Sequence, residues 1–104
     1  TRPMTAEEIT GKYELETGRV ICETFETLNI DPMHIPAVLV HSHGPFTWGK
    51  NGLDAAKNSA VLEEVAKMAY LSTTLNAKPA SEDIKKKHYF RKHGENAYYG
   101  QGES

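Results

Sequence analysis

The run Ala37-Val38-Leu39-Val40 constrains this chain more than any other feature. It is apolar at every position. It lacks the alternation that marks a strand with one wet face, so Ala37–His41 reads as a fully buried strand. Such a strand needs hydrogen-bonding neighbours on its edges and cover on both faces. The chain offers only one further strand candidate, Phe46-Thr47-Trp48-Gly49, followed by a turn at Lys50-Asn51-Gly52. Two strands do not make an independently stable sheet. The missing strands are therefore expected from an upstream part of the same protein or from another chain.

The remaining pattern is helical. Thr5-Ala6-Glu7-Glu8 has the form of a capping box and predicts a short helix from Ala6 to Lys12. Glu16-Thr17-Gly18 interrupts or restarts it. Val20, Ile21, Phe25 and Leu28 then recur at helical spacing, predicting a second helix over 17–28 that Asn29 ends. Asp31-Pro32 and Ile35-Pro36 make 30–36 a loop. From Leu53 to Leu75 the apolar residues Leu53, Ala56, Ala60, Val61, Val65, Met68 and Ala69 predict a long helix with a wide apolar face. Ser81-Glu82-Asp83 opens a last helix to Lys92, with Gly94 as its C-cap. No internal repeat or low-complexity tract is present.

Composition narrows the class. With 104 residues the chain holds one domain at most. Twelve Lys and Arg against 14 Asp and Glu leave a net charge of −2, which argues against a nucleic-acid or polyanion binder. Lys85-Lys86-Lys87 does not change this: residues 80–104 hold five Lys or Arg and four Asp or Glu, and a solvated helix face is expected there. Mean hydropathy is −0.57. No apolar run is long enough to span a membrane, and no secretory segment opens the chain. The only cysteine, Cys22, cannot form an internal disulfide, so a reducing, cytoplasmic setting is expected. The chain begins Thr1-Arg2-Pro3 rather than with methionine, which points to a processed piece, a truncation or an experimentally defined start.

His41-Ser42-His43-Gly44 is the most informative local motif. On an extended backbone, residues two apart point to the same side. Two imidazoles at the mouth of a strand are then placed to share a metal, and Gly44 permits a close backbone approach. The competing reading is a hydrogen-bonded histidine pair closing the strand end. Zinc needs three or four ligands. No Cys-x-x-Cys or His-Glu-x-x-His supplies the rest, so any metal here draws on a ligand outside the chain or far along it. His88, with Arg91 and His93 nearby, reads as an exposed helical histidine. Tyr98-Tyr99 in a polar tail predicts that the tail docks, either by aromatic packing or to bring a phenol to acid–base work. Cys22 reads as core, and Trp48 as packing or interface.

Taken together, several stretches resemble the C-terminal part of enzymes of the class II aldolase/adducin family that epimerise pentose phosphates. They are Glu14-x-Glu16-Thr17-Gly18, Val38-Leu39-Val40-His41-Ser42-His43-Gly44-Pro45-Phe46-x-Trp48-Gly49-Lys50, Leu62-Glu63-Glu64-Val65-Ala66, and Lys87-His88-Tyr89-x-Arg91-Lys92-His93-Gly94-x-x-Ala97-Tyr98-Tyr99-Gly100-Gln101. The resemblance runs from Thr1 to Gln101. It implies an α/β fold: residues 1–104 as the C-terminal portion of one three-layer α/β/α domain, helix-rich, with one or two strands completed by an absent N-terminal half. It implies that His43 is a ligand of a divalent metal, usually zinc. His41 falls to the substrate site or behind the ligands, and Arg91 to the substrate site. Tyr99 matches a catalytic acid/base thought to reach a neighbouring subunit's active site, and His88 matches a residue of the same region.

The implied reaction inverts C4 of a ketopentose phosphate, L-ribulose 5-phosphate to D-xylulose 5-phosphate, in the manner of arabinose catabolism. C4 is too weakly acidic for direct deprotonation, and a retro-aldol cleavage followed by re-addition avoids the difficulty. The metal would serve as the Lewis acid. Acid/bases are then needed on two faces: Tyr99 suits one and an aspartate from the absent half the other. The resemblance also implies a sugar-phosphate substrate, a homotetramer with active sites at subunit interfaces, and no nucleic-acid or membrane partner. Alone, the chain is expected neither to hold zinc tightly nor to turn over. The alternatives are a sugar-phosphate aldolase that stops after cleavage and an adducin-like binding domain without metal chemistry. Composition alone would suggest a small soluble α/β binding module.

Overall fold

In the computed structural model, residues 1–98 are described. The elements run α1 (Ala6–Thr10), α2 (Tyr13–Thr27), β1 (Ala37–Val40), β2 (Gly44–Thr47), α3 (Gly52–Thr74) and α4 (Glu82–His93). The chain divides into two compact units, Thr1–Val65 and Ala66–Ser104.

In the first unit the capping box forms as the sequence predicts. The Glu8 N–H donates to Thr5 Oγ1 at 3.2 Å, and the Thr5 N–H donates to Glu8 Oε2 at 3.0 Å. Two orphan donors at the helix start are thereby satisfied. The helix break, however, comes at Gly11 and Lys12, not at Glu16–Gly18. The Gly11 N–H reaches the Glu7 carbonyl at 2.9 Å, and a Cβ there would lie 3.0 Å from that oxygen. Gly18 sits within α2, where intrahelical bonds and burial outweigh its poor propensity. Thr17 and Val20 on either side of it are buried, and Thr17 Oγ1 donates to the Tyr13 carbonyl at 2.8 Å. Asn29 at φ 52 ends α2 as expected.

The core of this unit joins Phe25 of α2 to Val38 and Val40 of β1, with Ile21, Ile30 and Trp48 packed around them. Trp48 is therefore a packing residue. Cys22 is exposed, correcting its assignment to the core.

β1 and β2 form a two-stranded antiparallel sheet, paired Ala37 with Thr47, Val38 with Phe46, Leu39 with Pro45 and Val40 with Gly44. β2 thus begins two residues earlier than the sequence suggests, because the turn is tight. β1 is not buried on both faces. Val38 and Val40 turn into the core, while Leu39 is 59% exposed. The run is apolar throughout, but the described residues cover only one of its faces. Thr1 lies along the outer edge of β1: its backbone nitrogen donates to the Leu39 carbonyl at 2.7 Å, and the His41 N–H donates to Thr1 Oγ1 at 3.0 Å.

The start of α3 is fastened to the end of β2. Asn51 Oδ1 accepts from the Asp54 N–H at 2.9 Å, and the Asp54 carboxylate accepts from the Lys50 N–H at 3.0 Å. Thr47 Oγ1 donates to the Ala55 carbonyl, and Asn58 Nδ2 to that of Trp48. Gly49 lies directly against Asp54 and Ala55, leaving no room for a side chain. The apolar residues expected to form the buried face of α3 are exposed among the described residues: Leu53, Val61, Val65, Met68 and Leu75. In the second unit, Ser81 caps α4 and Gly94 ends it, as the sequence predicts.

Candidate functional site

The motif at 41–43 is a turn, not an extension of β1. Ser42 takes φ 57 and Gly44 φ 144, and the His43 N–H closes onto the Val40 carbonyl at 3.0 Å. A left-handed non-glycine residue costs of order 1–2 kcal/mol. Here it lets three residues link two antiparallel strands. The geometric premise that His41 and His43 share one side of a strand therefore fails, since the backbone between them is not extended. His41 turns to its neighbour, with Ser42 Oγ 2.9 Å from its Nδ1. His43 instead contacts two aromatic rings. Its imidazole is 6.1 Å from the ring of Tyr13, tilted at 34°, and 5.2 Å from that of Phe46, edge to face at 79°.

Both histidines are exposed. Among the described residues no hydrogen bond reaches a ring nitrogen of His43. An exposed imidazole whose ring nitrogens have no hydrogen-bond partner among the described residues is a competent donor for a divalent cation, so His43 fits one position of such a site. The described residues do not complete it: none of their groups of His, Cys, Asp and Glu reaches the three members needed to hold a metal ion.

His41 and His43 belong to the first unit, and His88 and Arg91 to the second. His88 and Arg91 are one turn apart on α4. Arg91 lines an open hollow with Lys87, Phe90, Gly94 and Tyr98, whereas His88 is exposed outside that lining. The tail begins by folding back on α4, with the Tyr98 N–H donating to the Arg91 carbonyl at 2.9 Å. Tyr99, the expected acid/base, lies outside the described residues.

The strongest electrostatic feature is at the N-terminus. The Arg2 guanidinium pairs with Glu8 at 2.8 Å and Glu23 at 2.7 Å. The hydrogen bond from Arg2, aided by the Thr5 N–H, holds the Glu8 carboxyl below the usual carboxylate range, and the two carboxylates in turn raise the pKa of Arg2. The sequence does not reveal Tyr13 and Phe46 as neighbours of His43. Phe46 carried a weak local signal, three residues beyond His43. Tyr13 carried none, because it meets His43 through tertiary packing.

The family model of the class II aldolase and adducin N-terminal domain matches residues 3–70. The chain belongs to the class II aldolase and adducin family. Its relatives include the L-ribulose-5-phosphate 4-epimerase UlaF of Salmonella paratyphi C and that of Salmonella choleraesuis. Each is 48% identical over 103 residues, which is 97% of this chain and 44% of the relative. The chain thus spans less than half the length of the curated relatives it matches. No helix among the described residues is long and apolar enough to cross a membrane.

Proposed function

We propose that this chain is part of a divalent-metal-dependent epimerase that interconverts L-ribulose 5-phosphate and D-xylulose 5-phosphate. The observation that carries the reading is the 48% identity to named 4-epimerases along 97% of the chain, with His43 presented outward at the strand-end turn. The hydrogen on C4 is not acidic, so inversion there proceeds by breaking the C3–C4 bond, turning the aldehyde fragment over and re-forming the bond. A divalent cation supplies Lewis acidity toward the ketone and the neighbouring hydroxyl. His43 supplies one nitrogen to that ion, and the remaining donors come from outside this chain. Zinc is the ion proposed.

The residues of this chain then divide the work. Tyr99 exchanges a proton with the C4 oxygen on one face, reaching the site of an adjacent subunit, and His88 serves the same proton transfer. Arg91, a fixed cation, binds the anionic substrate, and His41 contacts the sugar from the strand-end turn. The assembly is a homotetramer in the cytoplasm. Residues 1–104 form the C-terminal portion of a single domain whose sheet is completed by the rest of the protein.

The test is product analysis with the longer protein that contains this segment, with zinc bound. The expected result is conversion of L-ribulose 5-phosphate to D-xylulose 5-phosphate without net accumulation of cleavage products. Steady release of dihydroxyacetone phosphate and glycolaldehyde would overturn it in favour of an aldolase. The 104-residue chain by itself is expected to bind zinc more weakly than micromolar and to show no turnover; tight binding with activity would refute the incomplete-site reading.

A further inference from the structure

A histidine that ligates a metal is ordinarily oriented by a hydrogen bond from its second ring nitrogen to a carboxylate, a carbonyl or water. Among the described residues His43 has no such partner. What touches its ring is aromatic: Tyr13, the first residue of α2, and Phe46, in β2. The two contacts meet the imidazole at different inclinations, 34° and 79°. Rotation of the imidazole about its Cβ–Cγ bond would disturb both. Each partner is itself fixed. The break at Gly11 starts α2 at Tyr13, whose N–H donates to the Gly11 carbonyl at 3.0 Å. Phe46 is held in register opposite Val38. Aromatic pairs of this kind contribute about 0.5–1.5 kcal/mol beyond the area they bury.

We propose that Tyr13 is a positioning residue for His43: with Phe46 it clamps the imidazole so that its nitrogen is aimed outward, ring packing taking the place of the usual hydrogen-bonded partner. The inference rests on the reading of His43 as a metal donor. It assigns the role to the ring face of Tyr13, not to its hydroxyl.

The experiment uses the full-length protein and zinc alone, with affinity measured by competition against a chelator. Unfolding in urea runs alongside. His43→Asn serves as the reference variant. Tyr13→Leu is expected to weaken zinc binding by about tenfold, the lower end for loss of a group that orients a ligand. Tyr13→Phe, which keeps the ring, is expected to bind within twofold of the parent protein. In nitrogen-15 spectra of the imidazole, Tyr13→Leu should move the His43 ring resonances and Tyr13→Phe should leave them nearly in place. If His43→Asn weakens zinc binding and Tyr13→Leu does not, the positioning role is wrong while the donor role stands. If His43→Asn itself leaves zinc affinity unchanged, both fall. If Tyr13→Phe is as damaging as Tyr13→Leu, the hydroxyl matters and the ring-packing account is wrong. Should Tyr13→Leu fail to fold, Phe46→Leu removes the other side of the clamp and is read against the same thresholds.

Discussion

Trp48 meets Phe25 edge to face with ring centroids 5.4 Å apart, and this contact ties the end of β2 to α2. The indole Nε1 also donates to the Pro32 carbonyl at 2.7 Å, which anchors the 30–36 loop. Two interactions of different kinds meet in one side chain, and substitutions can separate them. Trp48→Phe keeps an aromatic ring and loses the hydrogen bond, at a cost of about 1 kcal/mol. Trp48→Ala loses both, together with the packing around Val38 and Val40, at a cost of about 3 kcal/mol. Urea unfolding measures the two values. Equal losses would mean that the hydrogen bond, not the ring, holds this corner together.

Glycine positions give a second contrast. A Cβ at Gly49 would run into the Asp54 carboxylate and lie 2.9 Å from the Ala55 backbone nitrogen. The Asp54 carboxylate accepts from the Lys50 N–H and the Ala55 N–H donates to the Asn51 carbonyl, so neither can move away freely. Gly49→Ala is expected to destabilise by about 1–3 kcal/mol. Gly18 lies within α2 and has open space where a Cβ would go. Gly18→Ala is expected to stabilise by about 0.5–1 kcal/mol, through a smaller loss of backbone entropy on folding. The difference in melting temperature between the two variants checks both signs at once.

Acid should weaken the N-terminal cluster. The Glu8 carboxyl is held below its ordinary range by Arg2 and by the Thr5 N–H. A group with a lowered folded-state pKa contributes its stabilisation above the unfolded value and loses it as pH falls through the folded value. Stability should therefore decline on acidification through and below the ordinary carboxylate range. Glu8→Gln should flatten that part of the profile while remaining less stable than the parent at neutral pH. Unfolding at a series of pH values measures it; parallel profiles for the two proteins would show that Glu8 carries none of the dependence.

The proposed chemistry gives a fourth expectation. General acid–base groups typically contribute about 10²- to 10⁴-fold. In the full-length protein Tyr99→Phe should lower kcat by at least about a hundredfold while leaving zinc content unchanged. His43→Asn should lower both. Metal analysis beside steady-state kinetics separates the two patterns, and a Tyr99→Phe enzyme of normal kcat would remove Tyr99 from the proton transfer.

What the sequence disclosed and what it hid follow from how local each signal is. The Thr5–Glu8 capping box, the span of α3 and both ends of α4 depend on residues within four positions of one another, and all appear where their patterns place them. The position of the α1–α2 break is ambiguous in the sequence because both Gly11 and Gly18 are helix-weakening. The choice between them depends on Thr17 and Val20 being buried by the rest of the unit. The turn at 41–43 is hidden in the sequence because nothing in the residue types announces the left-handed Ser42. His43 was singled out by its motif, but the rings beside it come from α2 and β2, and no spacing rule links Tyr13 to His43.

Leu39 marks where sequence and structure disagree most usefully. Its neighbours Val38 and Val40 are buried, yet Leu39 is 59% exposed on the opposite face of β1. An apolar residue in an unbroken apolar run, standing on a bare sheet face, fits a strand that the rest of a longer protein covers from the other side. Burying a leucine side chain contributes about 1.5–3 kcal/mol, whereas a substitution at an exposed position ordinarily changes stability by less than about 0.5 kcal/mol. The two cases are far enough apart to decide between. In the full-length protein Leu39→Ser is expected to cost about 2 kcal/mol in urea unfolding. A cost inside the range of surface substitutions would mean that this face of β1 meets solvent in the longer protein too, with nothing packed across it.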